Sequence, residues 1–167
     1  MSLVVLFGLP GTGKTFVGKI FKKYFDYYFY DGDNDLTDEM KEAIKTKSVF
    51  TDQMRDVFFD KLVKNIQKLK LEHDKLIIAQ MFIKERYRVD LINKIAETKF
   101  ILVQTKKKIR EKRLQERVYY PLDLEYARIM ENNFHKPNIN HLIINNDKNG
   151  EANIKKQVRL ILSNSTE

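Results

Sequence analysis

The sequence predicts a three-layer α/β protein in which a five-stranded parallel sheet carries helices on both faces. Three observations point to it. Short apolar runs of strand character alternate with stretches of 3.6-residue periodicity. The runs are apolar at successive positions, the pattern of strands covered on both sides. No repeat and no Gly-, Ser- or Pro-rich linker divides the chain, so a single domain over residues 1–167 is expected.

Residues 2–7 (SLVVLF) read as a buried strand that ends in the punctuation of Gly8 and Pro10. Phe16, Val17, Ile20, Phe21, Tyr24 and Phe25 then recur at helical spacing, and a second strand ends near Tyr30. Residues 36–46 and 52–71 keep the helical period, with Val57, Phe58, Leu62, Ile66 and Leu69 on one face, which predicts paired helices over the sheet. Residues 75–79 form a third strand, 88–96 a helix and 100–104 a fourth strand. A basic helix at 106–116, a further helix at 123–133, a fifth strand at 141–145 and a closing helix at 154–162 complete the order. Between the fifth and sixth of these helices, residues 118–123 with Pro121 interrupt both patterns.

Composition narrows the class. The 167 residues are 43% hydrophobic, with three prolines and six glycines, which excludes disordered, collagen-like and low-complexity chains. There is no cysteine, so disulfides, cysteine zinc sites and thiol nucleophiles are excluded together. No run approaches the roughly 18 apolar residues of a membrane span, and a signal-peptide pattern is missing from the first residues; a cytoplasmic protein is expected. The formal charge of +8 is uneven: residues 1–83 hold 13 basic and 12 acidic side chains, residues 84–167 hold 18 and 11. A polyanion, nucleic acid or nucleoside triphosphate, therefore suits the second half.

Gly8-Leu9-Pro10-Gly11-Thr12-Gly13-Lys14-Thr15 fits G-x-x-x-x-G-K-[ST] at every fixed position, between a strand and an amphipathic helix. Successive backbone N–H groups of such a loop turn inward around an anion, and the helix N-terminus adds its dipole. Gly8, Pro10, Gly11, Thr12, Gly13, Lys14, Thr15 and Phe16 are the expected ATP cradle. Lys14 reaches the β- and γ-phosphates as a catalytic cation, and the Thr15 hydroxyl ligates Mg²⁺. Asp31-Gly32-Asp33 stands where the second strand ends, at the edge where open α/β sheets bind ligands. Asp and Gly are also plain turn residues.

The loop, the D-G-D 17 residues beyond its lysine, and Thr51-Asp52-Gln53-Met54-Arg55 together resemble the small gluconate kinases, whose general plan the shikimate kinases share. Ala79, Lys84, Tyr87 and Arg88, followed by Arg113-Leu114-Gln115-Glu116-Arg117, extend the likeness nearly end to end. The resemblance implies a three-layer P-loop NTPase fold with substrate-side helices over 35–71 and a small lid over 117–124. It implies that Asp31 serves the metal and that Asp33 is the base that holds the acceptor hydroxyl. It implies Arg55 and Arg88 as substrate contacts, Arg113 and Asn146 at the nucleotide, and Arg117 as the lid arginine that stabilises transferring charge. The resemblance allows either a monomer or a homodimer. Departures fall on the acceptor side: residues 35–40 replace a D-L-H-P segment, Lys47 takes a glycine position, and Gln80-Met81 replaces a Cys-Ser pair.

The expected activity is an ATP-dependent phosphotransfer to a hydroxyl of a small metabolite: a sugar acid, sugar or polyol. Residues 26–60 hold ten acidic and four basic side chains, and carboxylates suit hydroxyl partners. Residues 106–117 hold seven basic and two acidic, cations suited to phosphates. A nucleoside, nucleotide or polynucleotide 5′-hydroxyl kinase is the second expectation, and a non-catalytic ATP-binding module the third. The three histidines are scattered without ligand spacing.

Overall fold

A computed structural model describes residues 2–116, 123–148 and 150–164. Among them the chain runs β1 (Ser2–Phe7), α1 (Lys14–Phe25), β2 (Tyr28–Asp31), a 3-10 turn (Gly32–Asp35), α2 (Asp38–Lys45) and α3 (Asp52–Glu72). It continues through β3 (Lys75–Ala79), α4 (Glu85–Lys94), β4 (Thr98–Gln104), α5 (Lys107–Gln115), α6 (Leu124–Asn132), β5 (His141–Asn145) and α7 (Glu151–Ser163).

The five described strands pair in the order β2-β3-β1-β4-β5, every pair parallel. The central strand shows why its sequence is apolar throughout. Leu3, Val5 and Phe7 join one core cluster with Phe59, Leu62 and Ile66 of α3 and Leu91 of α4. Val4 and Leu6 face the other way into Val17, Ile20 and Phe21 of α1 and Ile154 and Val158 of α7. Each such buried side chain contributes about 1.5–3 kcal/mol. The α/β fold with a five-stranded parallel sheet is the expected one, and the chain reversal at β1 leaves a crevice at the strands' carboxyl ends.

Local differences have physical causes. β4 begins two residues early because Thr98 and Lys99 pair with Leu3 and Val4. Helix α4 begins at Glu85 rather than 88, after Lys84 in extended conformation. Helix α2 does not lie over the sheet: Leu36, Met40 and Ala43 pack on Met54 in a cluster of their own. Val57, expected on the buried face of α3, is 56% exposed, and Phe59 takes the core position at 4%. No helix among the described residues is long and apolar enough to cross a membrane.

Candidate functional site

The loop between β1 and α1 holds its shape through glycine. Gly11 has φ +80°, and a Cβ there would stand 2.8 Å from Arg110 Cγ and 2.9 Å from the Arg110 carbonyl oxygen. No other residue tolerates both conditions. Lys14 Nζ donates to the carbonyls of Gly8 (2.9 Å) and Leu9 (3.0 Å), and Thr12 Oγ1 donates to Leu9 (3.0 Å). Gly13, which has no side chain to cap with, precedes α1, and the first turn of α1 carries no acidic residue to offset the helix dipole beside the loop.

Behind the loop lies a brace. The Thr12 carbonyl accepts from Asn146 Nδ2 (2.9 Å) and Thr105 Oγ1 (3.1 Å). Asn146, expected to contact the nucleotide, is 1% exposed and does not line the cavity; it holds the loop from below. Arg113 does line the cavity, its guanidinium donating to the carbonyls of Asn146 (2.7 Å) and Asp147 (3.2 Å) and to Thr105 Oγ1 (3.3 Å). Burial lowers its pKa while Asp147 opposes the shift.

The acidic pair sits at the end of β2, where Asp31 pairs with Ala79 of β3. Thr15 Oγ1 donates to Asp31 Oδ2 (3.3 Å), so the loop hydroxyl and the first carboxylate converge. This set, one hydroxyl and one carboxylate beside a phosphate cradle, fits Mg²⁺, which keeps waters and takes few protein ligands. The Asp33 amide donates to Asp31 Oδ1 (3.1 Å), which turns the chain and presents the Asp33 carboxylate.

Gln80, the residue after β3, completes the pair. Its Nε2 donates to Asp33 Oδ1 (3.0 Å), and its Oε1 accepts from the Met81 amide (2.6 Å), which fixes the amide's orientation. Gly32 permits this: a Cβ there would meet Gln80 Cβ at 3.0 Å. Sequence reasoning marked Gln80 only as a departure; its place at a strand end beside the aspartates was the available signal.

Arg55 lines the cavity, with Nη1 donating to the Phe50 carbonyl (2.6 Å) and to Asp52 (3.3 Å). Arg88, expected beside it, lies elsewhere. It is fully buried, donating to the carbonyls of Phe82 (2.8 Å) and Ile83 (3.3 Å) and to Glu85 (2.6 Å). The rings of Phe7 and Phe134 lie 5.1 and 4.8 Å from its guanidinium carbon. Its charge holds the cavity-wall segment Phe82-Ile83 from behind and does not face the cavity. Tyr87, on the same wall, has its hydroxyl pKa pushed up to about 12 by burial and by Asp56, against the lowering effect of Arg86. Arg117 and most of the expected lid, residues 117–122, lie outside the described residues.

Gly13, Lys14, Thr15, Asp31, Asp33, Gln80, Arg55 and Arg113 thus surround one cavity of about 390 Å³. A phosphate cradle, a metal-competent pair and an oriented carboxylate on one parallel sheet edge define a P-loop nucleotide-phosphate protein. A family model described as an AAA domain matches residues 4–133, most of the chain, and the chain belongs to that family. A shikimate kinase of Clostridium botulinum (strain ATCC 19397 / Type A) is 36% identical over 77 residues, 46% of this chain and 44% of that protein. The match thus spans less than half the length of that relative. In three dimensions the chain resembles an unliganded sugar kinase from Janibacter sp. HTCC2649, with TM-score 0.82 and 16% identity over 98% of this chain and 95% of the other. It also resembles a gluconokinase from Sinorhizobium meliloti 1021, with TM-score 0.79 and 16% identity over 99% and 98%. At these identities the two structures establish the shared fold.

Proposed function

We propose that this protein is an ATP-dependent phosphotransferase that moves the γ-phosphate to a hydroxyl of a small metabolite. The observation that carries the reading is Asp33, oriented by Gln80, opening on the same cavity as Lys14 and the glycine loop. The loop N–H groups and Lys14 bind the β- and γ-phosphates, and Thr15 with Asp31 would hold Mg²⁺, which when bound neutralises charge on the phosphoryl oxygens. Asp33 accepts the acceptor's hydroxyl proton as that oxygen bonds to the γ-phosphorus and the bond to the β-phosphate oxygen breaks, releasing ADP. Arg113 adds positive charge at the cavity wall, and Arg117 is proposed to add more from the lid. Arg55 stands on the acceptor's side of the same cavity.

A cavity of about 390 Å³ is the size of a small-molecule site. Much of the positive charge expected to attract polyanions is matched locally: Arg110 bonds Glu131 at 2.8 Å, and Lys106 and Lys107 face Asp147 and Glu131. Sugar acids, sugars and polyols are the acceptors that the resemblance and the neighbours' names bring to a first assay. The test is ATP-dependent transfer to a panel of small alcohols beside a 5′-hydroxyl oligonucleotide. Transfer to a small alcohol is the expected result. Transfer to the oligonucleotide alone, or ATP binding with no transfer, overturns the reading.

A further inference from the structure

Apart from the phosphate loop and the two aspartates, the cavity lining is largely apolar. Met40 and Ile44 of α2, Phe50 of the following connection, Phe58 of α3, Met81 after β3 and Ile129 of α6 all contribute to it. They come from five separate segments, so no single helix stripe accounts for them. The polar side chains among them already have protein partners. Arg55 is bound to the Phe50 carbonyl and Asp52, and Gln80 to Asp33 and the Met81 amide. The Tyr87 hydroxyl donates to Asp56 (2.7 Å), the Tyr126 hydroxyl to the Ser48 carbonyl (3.1 Å), and Asn133 Nδ2 to the Ile129 carbonyl (2.8 Å).

An acceptor with a hydroxyl on every carbon must leave water for this wall, and each hydroxyl buried without a partner weakens binding. An acceptor with one reacting hydroxyl on an apolar body loses little water and gains contact with six apolar side chains. We infer that the substrate is an alcohol carried on a largely apolar ring, an aromatic or carbocyclic carbinol, and not a sugar-like polyol. The inference rests on the proposed phosphotransfer for its reacting end, where Asp33 meets the hydroxyl. It departs from the polyol class expected from the resemblance, and the departure falls where the sequence itself departs, at residues 35–40 and Gln80-Met81.

The experiment uses the full chain with two readouts. Binding of benzyl alcohol, cyclohexylmethanol, glycerol and gluconate is measured by calorimetry at several temperatures in the presence of a non-hydrolysable ATP analogue. Phosphate transfer from ATP to each is measured in parallel. The expected result is that the two ring alcohols bind at least about ten-fold more tightly than glycerol or gluconate, a margin an apolar pocket can reach, with a negative heat-capacity change. Met81→Asn and Ile129→Thr, each checked for retained binding of the ATP analogue, should each reduce that preference several-fold. Gluconate or glycerol outcompeting the ring alcohols, or ring alcohols that fail to bind, overturns the inference whether or not transfer occurs. Tight ring-alcohol binding with no transfer to any probe leaves the apolar chamber standing and instead overturns the phosphotransferase reading.

Discussion

The Gln80 side-chain amide lies 3.0 Å from Asp33 Oδ1, while the Met81 amide 2.6 Å from Gln80 Oε1 keeps that side chain from turning over. One neutral side chain thus sets the direction in which this cavity-lining carboxylate points.

Removing that hold should cost turnover more than nucleotide binding. Gln80→Leu is expected to lower kcat roughly 10- to 100-fold, since a misplaced reacting group forfeits orientation, while the KM for ATP stays within about two-fold. Gln80→Glu should be worse, because it sets a second carboxylate against Asp33. Initial rates over a range of ATP concentrations decide it; wild-type kcat in Gln80→Leu would show that the contact is not used.

Arg88 should behave as a structural residue. Its removal leaves the Glu85 carboxylate and the carbonyls of Phe82 and Ile83 without their donor. Breaking one partner of a buried charge pair costs about 3–5 kcal/mol, and Arg88→Lys should recover only part of this because an ammonium lacks the guanidinium's fixed fork. Urea unfolding measures it. A variant Arg88→Ala of unchanged stability and raised acceptor KM would return Arg88 to the substrate side.

The same cluster sets an acid limit. Burial pushes the Glu85 carboxyl up, but the Arg88 hydrogen bond and the amides of Asn138 and Ile139 outweigh it and hold the carboxyl below its ordinary 4.5. A carboxyl with a depressed folded-state pKa contributes stability that is fully present above its unfolded value and is lost as pH falls through the folded one. Tm should therefore fall as pH drops below about 4.5, and Glu85→Gln should have a lower Tm at pH 7 with a shallower acid slope. Thermal melts between pH 3 and 7 check this; an unchanged slope in Glu85→Gln would contradict it.

Sequence alone carried the order of the elements and the loop of Gly8 to Thr15, because strand burial on both faces and the glycine loop are local patterns. The same local signal placed Asp31 and Asp33 at a strand end. Contacts between distant segments were not legible. Gln80 meets Asp33 across 47 positions, and Asn146 meets Thr12 across 134. Arg88, expected as a substrate contact, is enclosed instead, because β1 brings Phe7 and the segment after α6 brings Phe134 against it. Val57 and Phe59 differ by two positions on a helix whose burial depends on α4 as well as on the sheet. The apolar wall of the cavity is likewise a product of assembly, since five segments contribute to it.

The central claim is that Asp33 takes the proton of the attacking hydroxyl. Asp33→Asn keeps the size of the side chain and removes its basicity, so the most direct measurement is single-turnover transfer from ATP to an accepted alcohol in that variant, beside its affinity for an ATP analogue. Loss of transfer by about 10²- to 10⁴-fold with analogue affinity unchanged is the predicted result. Transfer at the wild-type rate would contradict the account.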